Sequence, residues 1–318
     1  MLFLKKCRVV GVVLFSAGWL WAVEPTPAPL GGGTPEAVQA LRELVAAQKA
    51  VLAEARKADD PDVLEDQRPR LQKVVDGYED LLKLHPDFAA VWASYGLLLC
   101  DPLLDERRAA LAVLLKANQL DPELPVVKNQ IGVLLAEQGR AVDAFNYFLA
   151  ASDLAPKEPL YHFQIGLVLD EARDAFLKTR AWKRADLDKS MINAFTRAVE
   201  LAPGRVDFAY RAAEAYYDLA EPRWEDAYRA WTRLEEQLEG RIETQTVRLH
   251  RARVLWKQGL AGAAQELLDT VDEPKLARQK AILTAEFAAD EAAEARAAAA
   301  PGDEMRVEMK PVPAGATK

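Results

Sequence analysis

Pro125–Pro156, PVVKNQIGVLLAEQGRAVDAFNYFLAASDLAP, is the stretch whose reading decides the fold. Apolar residues recur at three- and four-residue spacing through Val126–Gln138 and again through Ala141–Leu154. Two amphipathic helices are therefore predicted, broken at Gly139. The small residues Gly132, Ala144 and Ala151 stand where two such helices must approach closely, with Ile131, Leu135 and Phe148 as large apolar partners. Pro122 and Pro156 lie 34 residues apart. A helix pair of that period points to a unit that recurs.

The pattern repeats on both sides. Upstream, Trp92, Tyr95, Gly96 and Leu99 mark a first helix, and Ala110, Leu114, Ala117 and Pro122 a second. Downstream come Ile165, Gly166 and Leu169, then Phe195, Ala198 and Pro203, with 13 extra residues between the helices. Tyr216, Ala227 and Trp231 outline a further unit. A degenerate one runs from about Gln245 through Ala252, Leu255, Trp256, Gly259, Ala264 and Leu268 to Pro274. Before the array, Thr34-Pro35 caps and starts a helix with Val38, Leu41, Leu44, Val45, Val51, Leu52 and Ala55 on one stripe, interrupted by Gln48. Asp59-Asp60-Pro61 breaks it. A second helix follows with Leu71, Val74, Val75, Tyr78, Leu81, Leu82 and Leu84 predicted to face inward. The expected organisation is a capping hairpin at 34–88, an array of about five units at 89–274 with the last two degenerate, an Ala-rich helix at 275–300, and a disordered tail at 301–318.

These residues resemble the tetratricopeptide repeat, whose signature sets aromatic, Leu-Gly, aromatic, Ala, Phe, Ala and Pro at fixed offsets. Pro125–Glu158 matches at Ile131, Gly132, Ala144, Phe148, Ala151 and Pro156 and departs at Lys128 and Leu135, while Trp92 supplies the missing aromatic one unit earlier. The resemblance covers roughly residues 60–275 and is strongest in 89–124, 125–158 and 159–205. It implies an all-α, right-handed superhelical solenoid of stacked antiparallel helix pairs, with the first helix of each pair lining a concave surface. A lone hairpin buries too little apolar area to offset its ordering entropy, so neighbouring units must cover one another.

The ends of the chain carry a different message. Lys5, Lys6 and Arg8 precede an uncharged, mostly apolar run, Val9–Val23. As a helix it would be about 22 Å long, short of a bilayer's roughly 30 Å core, so residues 1–23 read as an export signal cut after Ala22, or one kept as an N-terminal anchor. Glu24–Gly33 is a Pro/Gly-rich linker. Export places the chain in the periplasm or cell envelope of a bacterium. The chain has a formal net charge of −8, and cleavage leaves 38 basic against 49 acidic residues, a net of −11. Phosphate backbones and anionic lipid repel such a chain, so no nucleic-acid partner is expected, and membrane association only through an uncleaved N-terminal segment. Cleavage also leaves Cys100 as the sole cysteine, which excludes an internal disulfide.

Catalytic raw material is scarce. There are three histidines and four serines, and no zinc-protease, P-loop, nucleophile-elbow or Cys-x-x-Cys motif. His85 reads as a helix-end residue, His162 as a packing residue at the position Trp92 holds in its unit, and His250 as solvated surface beside Arg248 and Arg251. No catalytic residue, metal site or cofactor is predicted, and the chain is read as a non-enzyme.

Binding is the function the resemblance implies. In such arrays the second, fifth, sixth, ninth, twelfth and thirteenth positions of each first helix line the groove. The candidate protein-binding residues are Asn129, Gln130 and Val133, then Phe163, Gln164 and Leu167, then Tyr210, Arg211 and Tyr217. The amides would hydrogen-bond an extended peptide backbone, and Phe163, Tyr210 and Tyr217 would be anchors. A family subtype that grips a C-terminal carboxylate needs lysines, arginine and asparagines where this chain has Ala93, Leu97, Gln130, Leu160 and Gln164, so that clamp is not expected. The 13-residue excess carries a second candidate patch, Lys178, Arg180, Trp182, Lys183 and Arg184, read either as a protruding knob or as lengthened helices packing through Phe176, Trp182 and Leu187. The expected function is a scaffold binding a protein or peptide partner in its groove. The alternative is an assembly subunit docking into an envelope complex by its convex face or end caps.

Overall fold

The computed structural model describes residues 33–56 and 61–299; the predicted signal or anchor, linker residues 24–32 and the tail lie outside them. Every regular element among the described residues is helical. They form two compact units, one ending at Glu221 and one beginning at Pro222.

The first unit holds α1 (Pro35–Ala55), α2 (Pro61–Leu84), α3 (Ala89–Leu99), α4 (Arg107–Leu120), α5 (Pro125–Glu137), α6 (Ala141–Leu154), α7 (Pro159–Glu171), α8 (Arg173–Lys178), α9 (Arg184–Leu201) and α10 (Val206–Glu214), with a 3-10 turn at Ala215–Asp218. The helices pack as hairpins: α1 on α2, α3 on α4, α5 on α6, and α7 on α9 with α8 inserted between them in sequence. Each hairpin also meets the next, α4 against α5 and α6 against α7, so one apolar core runs from Ala37 to Ala215.

Close approach explains the glycines. A β-carbon on Gly132 would sit 2.6 Å from the Phe148 ring, and one on Gly166 would sit 2.6 Å from the Phe195 ring. Gly96 takes Leu114 in the same way. Three units thus share one joint, a large side chain of the second helix seated on a bare backbone patch of the first. Gly139, at φ +76°, makes the left-handed turn that ends α5 and lets α6 return.

Two expectations in the first hairpin are corrected. Gln48 does not interrupt the inward stripe but belongs to it: it is buried and accepts a hydrogen bond from Tyr78 Oη at 2.6 Å. A buried amide is tolerated once paired, and Tyr78 stacks in turn on Tyr95 with ring centroids 5.7 Å apart. Leu84 does not face inward. It is the last residue of α2 and is 75% exposed.

The second unit holds α11 (Trp224–Glu235), α12 (Arg241–Lys257), α13 (Ala261–Asp269) and α14 (Ala277–Ala299). α12 packs against α11, α13 and α14, around a core of Leu249, Ala252, Leu255, Ala264, Leu268, Leu283 and Phe287. The predicted pair at 206–241 falls across the two units, α10 closing the first and α11 opening the second.

Candidate functional site

The first helices α5, α7 and α10 carry the predicted groove residues, and the structure treats them unequally. On α5, Asn129 and Gln130 are nearly buried and Val133 is half-buried. Burial pushes the pKa of the nearby Cys100 thiol up to about 12, with the Gln130 side chain opposing the rise, so that cysteine stays a protonated, unreactive thiol. Asn129 is 3% exposed, and its Oδ1 has no hydrogen-bond partner among the described residues. A buried, unsatisfied amide oxygen costs roughly 1–3 kcal/mol and calls for an explanation.

On α7, Gln164 and Leu167 are half-buried. Phe163 is not available as an anchor: it is 4% exposed, stacked on Phe208 at 4.1 Å and edge-on to Phe195 at 5.6 Å. Its ring serves the joint between α7, α9 and α10. On α10 and the following turn, Tyr210, Arg211 and Tyr217 are half-buried. Arg211 pairs with Asp170 and lies 3.7 Å from Glu214. Burial holds the Glu214 carboxyl above its usual range, with Asp170 and Asp218 adding to the rise and Arg211 opposing it.

The insertion is not a knob throughout. Phe176 and Leu187 are fully buried, and Trp182 packs edge-on to Phe145 at 5.6 Å and to Phe176 at 6.0 Å. The excess residues form a separate short helix, α8, and lengthen α9 alone. Arg184 is also taken up internally, bonding both oxygens of Asp188 at 2.8 and 2.9 Å and the Asp218 carbonyl. Lys178, Arg180 and Lys183 remain exposed, with Arg180 at φ +60° in the turn.

Sequence reasoning missed the polar frame beneath this region. Arg173 donates to Asp170 at 2.9 Å and stands 3.6 Å from Asp188, which also accepts the Ala220 backbone N–H at 2.8 Å. One signal was present: Asp188 lies on the inward stripe of Met191, Ile192 and Phe195. The histidines divide as well. His162 is half-buried and its Nε2 donates to the Pro156 carbonyl at 2.9 Å, as Trp92 Nε1 donates to the Pro86 carbonyl at 2.7 Å. Both tie a first helix to the turn before it. His250 is not solvated surface. Its ring stacks on buried Trp231 at 4.1 Å and 6°, because Trp231 stands where Phe148 stands in its own unit and reaches α12.

Among the described residues no group of three or more His, Cys, Asp or Glu could hold a metal ion, and no helix is long and apolar enough to cross a membrane.

No family model matches the chain, and no curated protein matches it. Solved structures do. YrrB, described as a TPR protein with an unusual peptide-binding site, is 16% identical with a TM-score of 0.54, over 67% of this chain and 99% of YrrB. PilF of Pseudomonas aeruginosa is 17% identical with a TM-score of 0.53, over 80% of this chain and 99% of PilF. Naa15/Naa10 bound to HypK-THB matches at 15% identity and a TM-score of 0.51, over 83% of this chain and 35% of that one. At these identities the likeness is one of fold.

Proposed function

We propose that this array of helix hairpins, similar in fold to a solved TPR protein, binds an extended segment of a partner protein along α5, α7 and α10, with no chemical step. The observation that carries this reading is Asn129, an amide nearly removed from water whose oxygen has no hydrogen-bond partner among the described residues. Gln164 lies near the corresponding register of the next unit and also makes no hydrogen bond within the described residues. Amides so placed match the alternating N–H and C=O groups of an extended backbone, and Val133, Leu167, Tyr210 and Tyr217 add half-exposed apolar area beside them. YrrB, with its unusual peptide-binding site, supplies a precedent for peptide recognition on this fold. Phe163 and Arg211 act in this reading from beneath, as supports.

The outer helices hold one feature that favours docking into a larger assembly. Leu115 of α4 and Leu149 of α6, each one residue past the side chain seated on the glycine patch, are both exposed. We place either activity in the bacterial envelope on the strength of residues 1–23 alone.

The test uses the full chain and a fluorescent peptide selected against it from a display library. Asn129→Leu removes the unsatisfied amide, so the unfolding midpoint should hold or rise while peptide affinity falls about tenfold, equal to about 1.4 kcal/mol. Gln164→Ala should weaken binding in the same direction. Unchanged affinity in both variants would overturn the groove reading in favour of the outer face.

A further inference from the structure

The connector between α8 and α9, with Lys178, Arg180, Trp182 and Lys183, is the part of the insertion that the polar frame beneath it does not use. Arg173 and Arg184, on either side, are taken up by Asp170 and Asp188. Lys178, Arg180 and Lys183 are exposed, and their charged ends make no ion pair or hydrogen bond among the described residues. The nearest acids along the chain, Asp174 and Asp186, are also exposed and pair with none of the three. A chain with 49 acidic against 41 basic residues thus leaves these cations without a carboxylate.

The connector is held in place. Trp182 is half-buried and edge-on to Phe145 and Phe176, and those two rings meet each other at 5.4 Å. Thr179 Oγ1 donates to the Phe176 carbonyl at 2.7 Å and accepts the Ala181 N–H at 3.2 Å. Arg180 takes φ +60°, a left-handed conformation that a β-carbon disfavours and glycine adopts without strain. Asp105, the other such residue among the described ones, is of a type that tolerates this region, and arginine is not. An arginine kept where glycine fits better, with its guanidinium in solvent, points to a use for that charge.

The charges also set the size of what they can meet. Lys178 to Lys183 spans at most about 20 Å, on the order of two Debye lengths at 0.1 M salt, so the three cations act together on one ligand. That footprint suits a short segment. An extended polyanion, nucleic acid or anionic bilayer, also meets the negative charge of the rest of the chain. Arg180 can fork onto a carboxylate, Lys178 and Lys183 supply point charges beside it, and the uncovered part of Trp182 adds an apolar contact.

We propose that Lys178–Lys183 is a docking surface for a short acidic segment of a partner protein, separate from the groove along α5, α7 and α10. Carboxylates of the segment neutralise Lys178, Arg180 and Lys183, and binding weakens as salt is added.

The probe is a labelled peptide of glutamates around one central leucine, with its glutamine counterpart, offered to the intact chain at low and high salt. At low salt the glutamate peptide is expected to bind at least about tenfold tighter than the glutamine peptide. Lys178→Ser/Arg180→Ser/Lys183→Ser is expected to abolish that preference while keeping the urea midpoint of the unaltered chain. Arg180→Gly is expected to hold or raise the midpoint while weakening the glutamate peptide about threefold, because it relieves the strained backbone and removes the charge. Equal binding of the two peptides, or equal binding by the unaltered chain and the triple variant, would overturn the proposal. So would pelleting with phosphatidylglycerol vesicles that the triple variant loses, which gives the surface to lipid. Self-association that the triple variant abolishes also contradicts it, by giving the surface to a second copy.

Discussion

Two joints in this molecule hold a helix against its neighbour by opposite means. In the hairpin α5–α6, the Phe148 ring sits on the bare backbone of Gly132, an apolar contact. In the pair α11–α12, Trp231 occupies the place of Phe148 but meets the His250 ring, and Glu235 receives Arg248 and Arg251, the former at 2.7 Å. Arg251 also bonds Tyr228 Oη at 2.6 Å. The first joint is fixed by shape, the second by paired charges and a neutral imidazole. Shape is indifferent to pH and salt, and the second joint is not.

The largest expected effect is at the apolar joint. Phe148→Ala should cost about 3–5 kcal/mol, read as a lower urea midpoint. The comparison breaks if that loss is under about 1 kcal/mol, because the seat on Gly132 would then not be what holds the hairpin.

Acid sharpens the contrast. Burial, with Arg253 adding, pushes the His250 pKa down to about 3, well below the roughly 6.5 of an unfolded chain. The unfolded state therefore binds the proton first, and the stability due to a neutral His250 is present above pH 6.5 and lost as the pH falls toward 3. The slope is about 1.4 kcal/mol per pH unit, hence about 2–3 kcal/mol between pH 6.5 and 4.5. His250→Phe should flatten that slope for α11–α14 and leave α5–α6 unaffected, as hydrogen exchange at the two pH values would report.

Removing the carboxylate comes next. Glu235→Ala should cost about 1–2 kcal/mol, below the range for a fully buried pair because Arg248 keeps part of its hydration. Equal losses at low and high salt would mark the pair as shielded from solvent, and a loss that vanishes at high salt would make it a surface pair. The smallest effect belongs to the insertion. Changing Lys178, Arg180 and Lys183 together to Ser should shift stability by no more than about 0.5 kcal/mol, since all three are exposed.

The same contrast explains what the sequence discloses. Periodicity and small residues identify the hairpins from Ala89 to Leu201, because a glycine beneath a phenylalanine is a pattern of size, and size is written in residue type. Pairing is not. Nothing in the spacing of Gln48 says that Tyr78, thirty residues on, will satisfy its amide. Nothing beside Arg248 and Arg251 says that His250 will turn inward to Trp231. Nothing in the spacing of Asp170 and Asp188 says that Arg173, Arg184 and Arg211 will join them beneath the insertion. The candidate groove positions came from the repeat resemblance. Which side chains reach the groove surface was not legible, and Phe163 was lost to the core because Phe208 stacks on it.

The central claim is that the inner helices, not the outer ones, meet the partner. A photo-crosslinking residue placed at Gln164 of α7, or at the exposed Thr196 of α9, tests it in the cells that make the protein. The account predicts that the Gln164 position captures a discrete partner, that the Thr196 position does not, and that Asn129→Leu reduces the capture. Capture from Thr196 with none from Gln164 would contradict it.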